Sequence, residues 1–268
     1  EVLRLAEQGF NTVKLRVHDF ELSEDIRQIE TVRKAVGDDL QLGVDANQGW
    51  RVALVDDAPL WDLERATDFA RACADNGIAW LEEPLDMYGW DELAELRRRS
   101  EVPIAGGELN GGWHEFRTML EKGCFDIYQP DATFGGGISG AKKVQQACTE
   151  RGLHFAPHTW SNGFSMVVNL HVHASGAMDH PLEYPIEPPG WTPEYRDALL
   201  SEPVLADANG TIEIPQKPGL GIEIDEDQLN HHATKYFDIT TKGIAVKTIR
   251  EKGLFTALKL ARKKRKNS

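Results

Sequence analysis

Seven short apolar runs, each followed by a stretch of helical periodicity, constrain this chain more than any other feature. The runs are "TVKLRV" (12–17), "LQLGVD" (40–45), "IAWLEE" (78–83), "VPIAGGE" (102–108), "FDIYQPD" (125–131), "LHFAPH" (153–158) and "PLEYP" (181–185). Near-continuous apolar runs alternating with amphipathic helices mean parallel strands buried on both faces. The helical stretches carry their own punctuation. "SEDIRQIETVRKAVG" offers Ser23 as an N-cap, acids in the first turn and Gly37 as a stop; "LERATDFARACADNG" stops at Gly77 and "ISGAKKVQQACTERG" at Gly152. An open doubly wound sheet would satisfy the alternation. Uniform units without a topological switch favour a (β/α) barrel of the TIM type.

Each run has an ionisable residue near its C-terminal end: Arg16, Asp45, Glu82, Glu108, Asp131, His158 and Glu183, spaced 23 to 37 residues apart. Barrel active sites are built from these strand ends, so seven such residues predict a site. Asp45, Glu82 and Glu108 end three successive strands. Neighbouring strands lie about 4.8 Å apart, so the three carboxylates can converge. Bare carboxylates would repel there, and a hard divalent cation resolves the conflict; all-oxygen ligation suits Mg²⁺. Lys14 and Arg16 share one strand face. Asp131 and His158 end adjacent strands, and that pairing suits a general base whose tautomer the carboxylate fixes.

Other matches carry less. "GGGISG" (135–140) satisfies a dinucleotide-binding pattern, but the acid expected about 20 residues on is missing, so a tight turn is expected. His171 and His173 lie two apart in a helical stretch and do not share a face. His231 and His232 have no ligand partners in view.

The chain is long enough for one large domain, and no run approaches the roughly 18 apolar residues of a membrane span. Three scattered cysteines point to a reducing, cytoplasmic compartment without a disulfide framework. The formal net charge of -13 hides an asymmetry. Residues 242–268 carry ten Lys/Arg and one acid, so the body is strongly acidic. An acidic body argues against a nucleic-acid partner. The basic tail reads as a solvated helix end.

Taken together these residues resemble the barrel of the enolase superfamily, in its mandelate racemase and muconate-lactonizing branch. The matching motifs are "KLR" for K-x-K, "DANQGW", "LEEPL", "AGGELN", "YQPDA", "PHTW", "LEYP" and the closing "KPGLGIEID", over roughly residues 1–226. The resemblance implies abstraction of the proton α to a carboxylate, with Mg²⁺ as cofactor and a Lys or His as base. It implies that Glu183 hydrogen-bonds the substrate carboxylate, with the neutral acid as one available form. It places Glu83 behind the metal ligands and Asn47 near substrate, and makes Lys14, Arg16, Asp131, His158 and Glu183 the catalytic set.

Two departures from the family pattern shape the expectation. Arg16 replaces the second Lys of K-x-K, and a guanidinium, with a pKa above about 12, is a poor base. A one-base dehydration of an acid sugar therefore fits better than racemisation, epimerisation or lactone cycloisomerisation. A non-catalytic barrel is the alternative of another class. The family also has a capping domain and a first barrel strand before this point, so the expected organisation is an N-terminally truncated barrel over 1–226 and a basic, helical C-terminal extension over 227–268. The complete protein would be a homo-oligomer acting on a small carboxylate, without nucleic acid or membrane.

Overall fold

The computed structural model describes residues 1–51, 57–234 and 240–266, with the side chains of 241 and 261–266 left out. It divides into two compact units, Glu1–Asp225 and Glu226–Ser268.

The first unit opens with α1 (Val2–Glu7) and β1 (Thr12–Arg16), followed by α2 (Leu22–Val36) and β2 (Gln41–Asp45). Then come α3 (Leu63–Asp75), β3 (Trp80–Glu82), α4 (Trp90–Arg99), β4 (Ile104–Gly106), α5 (Trp113–Lys122), β5 (Ile127–Tyr128), α6 (Gly137–Arg151), β6 (His154–Phe155), α7 (Gly163–Ala174) and α8 (Pro193–Arg196). The strands pair in parallel in the order β1-β2-β3-β4-β5-β6. Sequential parallel pairing with a helix after every strand is the wall of a TIM-type barrel.

Alternation along the strands sorts side chains to the two sides of that wall. In β1, Val13 and Leu15 are buried while Thr12, Lys14 and Arg16 are not. Val13 and Leu15 join Leu42, Val44, Leu81 and Ile104 in the main core, with helix residues such as Ile29, Phe69, Leu93, Phe116 and Val144. A smaller cluster of Trp80, Ala105, Ile127 and Ala156 comes from the opposite strand faces. Burial on both sides explains why the runs read as apolar throughout.

Two expectations change. Residues 181–185 form no strand. Pro181 and Pro185 lack the N–H a ladder needs, so the segment is coil. Ser23 is not a cap: α2 starts two residues earlier than a Ser23 cap would set it, at Leu22 behind Glu21, which makes no side-chain cap bond. The helix stops hold. Gly37 and Gly152 are the C-caps of α2 and α6, and Gly77 follows α3 with positive φ. Of "GGGISG", Gly135 and Gly136 make the turn into α6, with Gly136 as its left-handed N-cap, and residues 137–140 are the start of the helix.

The second unit holds α9 (Glu226–His232), α10 (Thr241–Lys252) and α11 (Leu254–Lys266). The Thr240 hydroxyl caps α10 by accepting from the Gly243 N–H. Ile244, Ile249, Phe255, Leu258 and Leu260 are exposed. The last two residues of the expected basic tail, 267–268, lie outside the described residues.

Candidate active site and metal centre

The strand register brings the acids together. β1 pairs with β2 so that Arg16 lies opposite Asp45, and β2 pairs with β3 so that Asp45 lies opposite Glu82. Glu108 follows β4 by two residues, across Gly107, whose φ of 118° is a backbone conformation that side chains rarely adopt. One oxygen from each of Asp45, Glu82 and Glu108 lies within 4.8 Å of the others. All three residues are buried.

Each ligand candidate is braced. Asp45 Oδ1 accepts from the Asn47 backbone N–H at 2.9 Å, and Oδ2 from Asn47 Nδ2 at 2.9 Å. Asn47 reaches both from a left-handed φ of 47°. Glu82 Oε2 accepts from Trp80 Nε1 at 3.0 Å and Gln129 Nε2 at 2.8 Å. Glu83 lies behind them, buried, with Oε2 lacking a hydrogen-bond partner among the described residues. Gly49 makes room for it: a Cβ there would fall 2.0 Å from Glu83 Oε1.

Lys14 stands against these acids. Its Nζ lies 2.5 Å from Glu82 Oε1, 2.8 Å from Glu183 Oε1 and 3.4 Å from Asp45 Oδ2. Burial alone would lower its pKa, but the carboxylates of Glu183, Glu82, Asp45 and Glu108 outweigh it and raise the ammonium well above its ordinary value. In this arrangement the surrounding carboxylates favour the ammonium form of Lys14.

On the other side, His158 Nδ1 sits 3.0 Å from Asp131 Oδ2. Its Nε2 lies 3.1 Å from Glu108 Oε2 and 3.7 Å from Glu183 Oε2. Burial pushes the imidazole down, but Glu183, Glu108 and the Asp131 hydrogen bond prevail and raise it to about 9. Asp131 is pushed up by burial and pulled further down by hydrogen bonds from His158, Asn169 and Thr133, so it stays ionised. Asn169 Nδ2 donates to Asp131 Oδ1 at 3.0 Å, and the Thr133 N–H and hydroxyl donate to the same oxygen at 2.7 Å each.

Glu183 joins the site even though its segment is coil. Its Oε2 accepts from the Thr159 N–H at 2.8 Å. Burial raises its pKa, but Lys14, His158 and the Thr159 bond lower it below the ordinary value. Here Glu183 is the carboxylate rather than the neutral acid. Arg16 stands apart from the cluster: its guanidinium lies 4.4 Å from the centroid of the Trp160 ring and reaches Glu187 at 3.4 Å.

Six carboxyls thus meet one ammonium and one imidazole. Burial, then Glu82, raises Asp45 to about 6, and burial raises Glu108 to about 7. A donor set of three convergent oxygens with a charge deficit fits a hard divalent cation, with Lys14 partly standing in for it. Sequence reasoning missed Trp80, Gln129, Thr133, Thr159 and Asn169. For two of them the signal was present. Trp80 and Gln129 each precede a site acid by two residues, the spacing that puts side chains on one strand face.

A parallel barrel with such a centre at its strand ends defines a metal-assisted enzyme class, and the comparisons with known proteins specify it. The chain belongs to the enolase C-terminal domain-like family, which it matches over residues 1–228. It is 35% identical over 226 residues to the D-galactarolactone cycloisomerase of Agrobacterium fabrum, covering 83% of this chain and 56% of that protein. It is 34% identical over 222 residues to the L-talarate/galactarate dehydratase of Salmonella typhimurium, covering 82% and 49%. The L-talarate dehydratase of Polaromonas sp. JS666, solved with Mg and L-glucarate, superposes with a TM-score of 0.70 at 29% identity, covering 85% and 57%. The chain spans about half the length of the curated relatives it matches.

Proposed function

We propose that the full-length protein abstracts the proton α to the carboxylate of a sugar acid, with Mg²⁺ held by Asp45, Glu82 and Glu108, and dehydrates the product. One observation carries this reading: Asp131 holds His158 so that Nε2 faces the three-carboxylate centre from the next strands round. A bound Mg²⁺ supplies a Lewis acid for the substrate carboxylate and for the charge that develops on it.

The remaining work falls to the chain. With Glu108 committed to a cation, one of the groups that raise the imidazole would be removed, while Glu183 and the Asp131 hydrogen bond would remain, so the neutral base would form as the pH rises. Nε2 then accepts the α-proton, the C–H electron pair moves toward the carboxylate, and Asp131 steadies the imidazolium through Nδ1. The same Nε2–H protonates the β-hydroxyl, which leaves as water, and the enol left behind becomes a 2-keto-3-deoxy acid. Lys14 and Glu183 orient the substrate. Arg16 offers no second base, and its guanidinium rests on Trp160. That arrangement favours one-base elimination over racemisation or epimerisation.

Lactone cycloisomerisation is the second reading, favoured by the 35% relative. Both begin with the same proton transfer. The compartment that fits three reduced cysteines is the cytoplasm.

The test is a panel of aldonates, aldarates and their lactones incubated in D₂O with Mg²⁺ and read by mass. Dehydration predicts a keto product lighter by one water with deuterium at C3. Isomerisation of a lactone without loss of water, its product carrying solvent deuterium, would select the second reading, and no turnover or exchange of any acid would reject both.

A further inference from the structure

Glu82 has one oxygen that faces Lys14 and one that two neutral donors hold. Oε2 receives two N–H donors, from Trp80 and Gln129, at 3.0 and 2.8 Å. A carboxylate oxygen has two in-plane lone pairs, so two donors saturate it. Oε1 is the oxygen turned toward Lys14 Nζ at 2.5 Å.

Both donors are built in. Trp80 is buried in β3, and its ring meets His180 edge-on at 4.7 Å. Gln129 is buried just past β5, and its Oε1 has no hydrogen-bond partner among the described residues. The opposite amide orientation would set an oxygen against Glu82 Oε2, so the carboxylate dictates the way Gln129 faces. Asp45 is limited in a similar way, with one Asn47 donor on each oxygen.

These contacts bear on which ion fits. Ca²⁺ takes six to eight oxygens at about 2.3–2.6 Å and draws on bidentate carboxylates, whereas Mg²⁺ takes six at about 2.0–2.1 Å. A carboxylate that offers one oxygen serves the smaller ion and starves the larger. We infer that Trp80 and Gln129 are positioning residues that hold Glu82 to one-oxygen ligation and so make this centre discriminate Mg²⁺ against Ca²⁺. The inference rests on the reading that Asp45, Glu82 and Glu108 hold the cation.

The test is calorimetric titration of the metal-free full-length protein with MgCl₂ and with CaCl₂, for the wild type, W80F and Q129M. Q129M keeps its bulk and loses the N–H donor, whereas W80F loses the donor together with part of a buried ring. Loss of a partner behind a metal ligand costs about 10- to 100-fold in affinity. Mg²⁺ affinity should fall within that range while Ca²⁺ affinity holds or rises, so that the preference for Mg²⁺ shrinks at least tenfold. Thermal melts accompany each titration, and Q129M carries the test alone if W80F loses its cooperative transition. An unchanged preference, or an equal fall for both ions, overturns the inference and leaves the metal centre standing. A wild type that binds neither ion removes the metal centre itself, and the inference with it.

Discussion

His158, Asp45 and Glu108 all hold their protons more tightly in the metal-free fold than in water, at about 9, 6 and 7. A group whose folded pKa is raised contributes stability below its unfolded value and loses it as pH rises through the folded one. For His158 that window runs from about 6.5 to about 9. The two acids lose theirs earlier, up to about 6 and about 7. Asp131 and Glu183, held below their ordinary values, act oppositely and are lost in acid. Metal-free protein should therefore melt lower at pH 9 than near pH 5, and Mg²⁺ should narrow the difference. Because ligation displaces these protons, Mg²⁺ binding at pH 7.5 should release protons. Calorimetry in buffers of different ionisation enthalpy reads that number, and buffer-independent heats would contradict the assignment. Asn169 makes a second case at this scale. Fully buried, it donates to Asp131 and accepts from the Ala132 N–H at 2.9 Å. Asn169→Ala leaves the Ala132 N–H without its acceptor and takes one of three donors from Asp131 Oδ1, and should cost about 1–3 kcal/mol in urea melts. A change within error would show that water replaces the amide freely.

At the scale of elements, six of the seven expected strands form, and their register delivers the acids. This was legible because parallel strands leave a near-continuous apolar signal and barrel sites fall at their ends. The seventh run failed because a terminal acid and apolar neighbours look the same in a strand and in a proline-bounded coil. Glu183 reached the site all the same. Ser23 failed because a cap depends on where the preceding loop turns, and the chain enters α2 two residues early. Asn169, on α7, was illegible: nothing local marks a helix amide that reaches a strand-end carboxylate 38 residues away. Gly49 shows how tightly the loop after β2 meets the strand β3. Gly49→Ala would place Cβ 2.0 Å from Glu83 Oε1 and force that buried side chain aside. We expect a loss of about 1–3 kcal/mol, the usual cost of overpacking, together with weaker Mg²⁺ binding. Wild-type melts and titrations would show that the loop yields cheaply.

For the whole molecule, the parallel wall and its helices leave all three cysteines buried and unpaired. Burial raises Cys124 and Cys148 to about 12 and Cys73 further still. Thiolate is the reactive form, so the native protein should resist a disulfide reagent at pH 8 until it unfolds. Rapid labelling of the native state would mean that the helices part readily from the sheet. Among the described residues, no helix is long and apolar enough to cross a membrane. Most of the acids, the ammonium and the imidazole lie at or just after the ends of paired parallel strands, and Glu183 joins them from coil. The proposed function therefore belongs to the barrel rather than to any one motif: His158 would move the proton while the three carboxylates hold the ion. The most direct measurement compares full-length wild type with His158→Asn, following Mg²⁺ binding by calorimetry and α-proton exchange of a turned-over sugar acid in D₂O by mass. The variant should bind Mg²⁺ and lose exchange by about a hundredfold or more, the typical contribution of a general base. Exchange at the wild-type rate in a variant that still binds Mg²⁺ would contradict that role for His158.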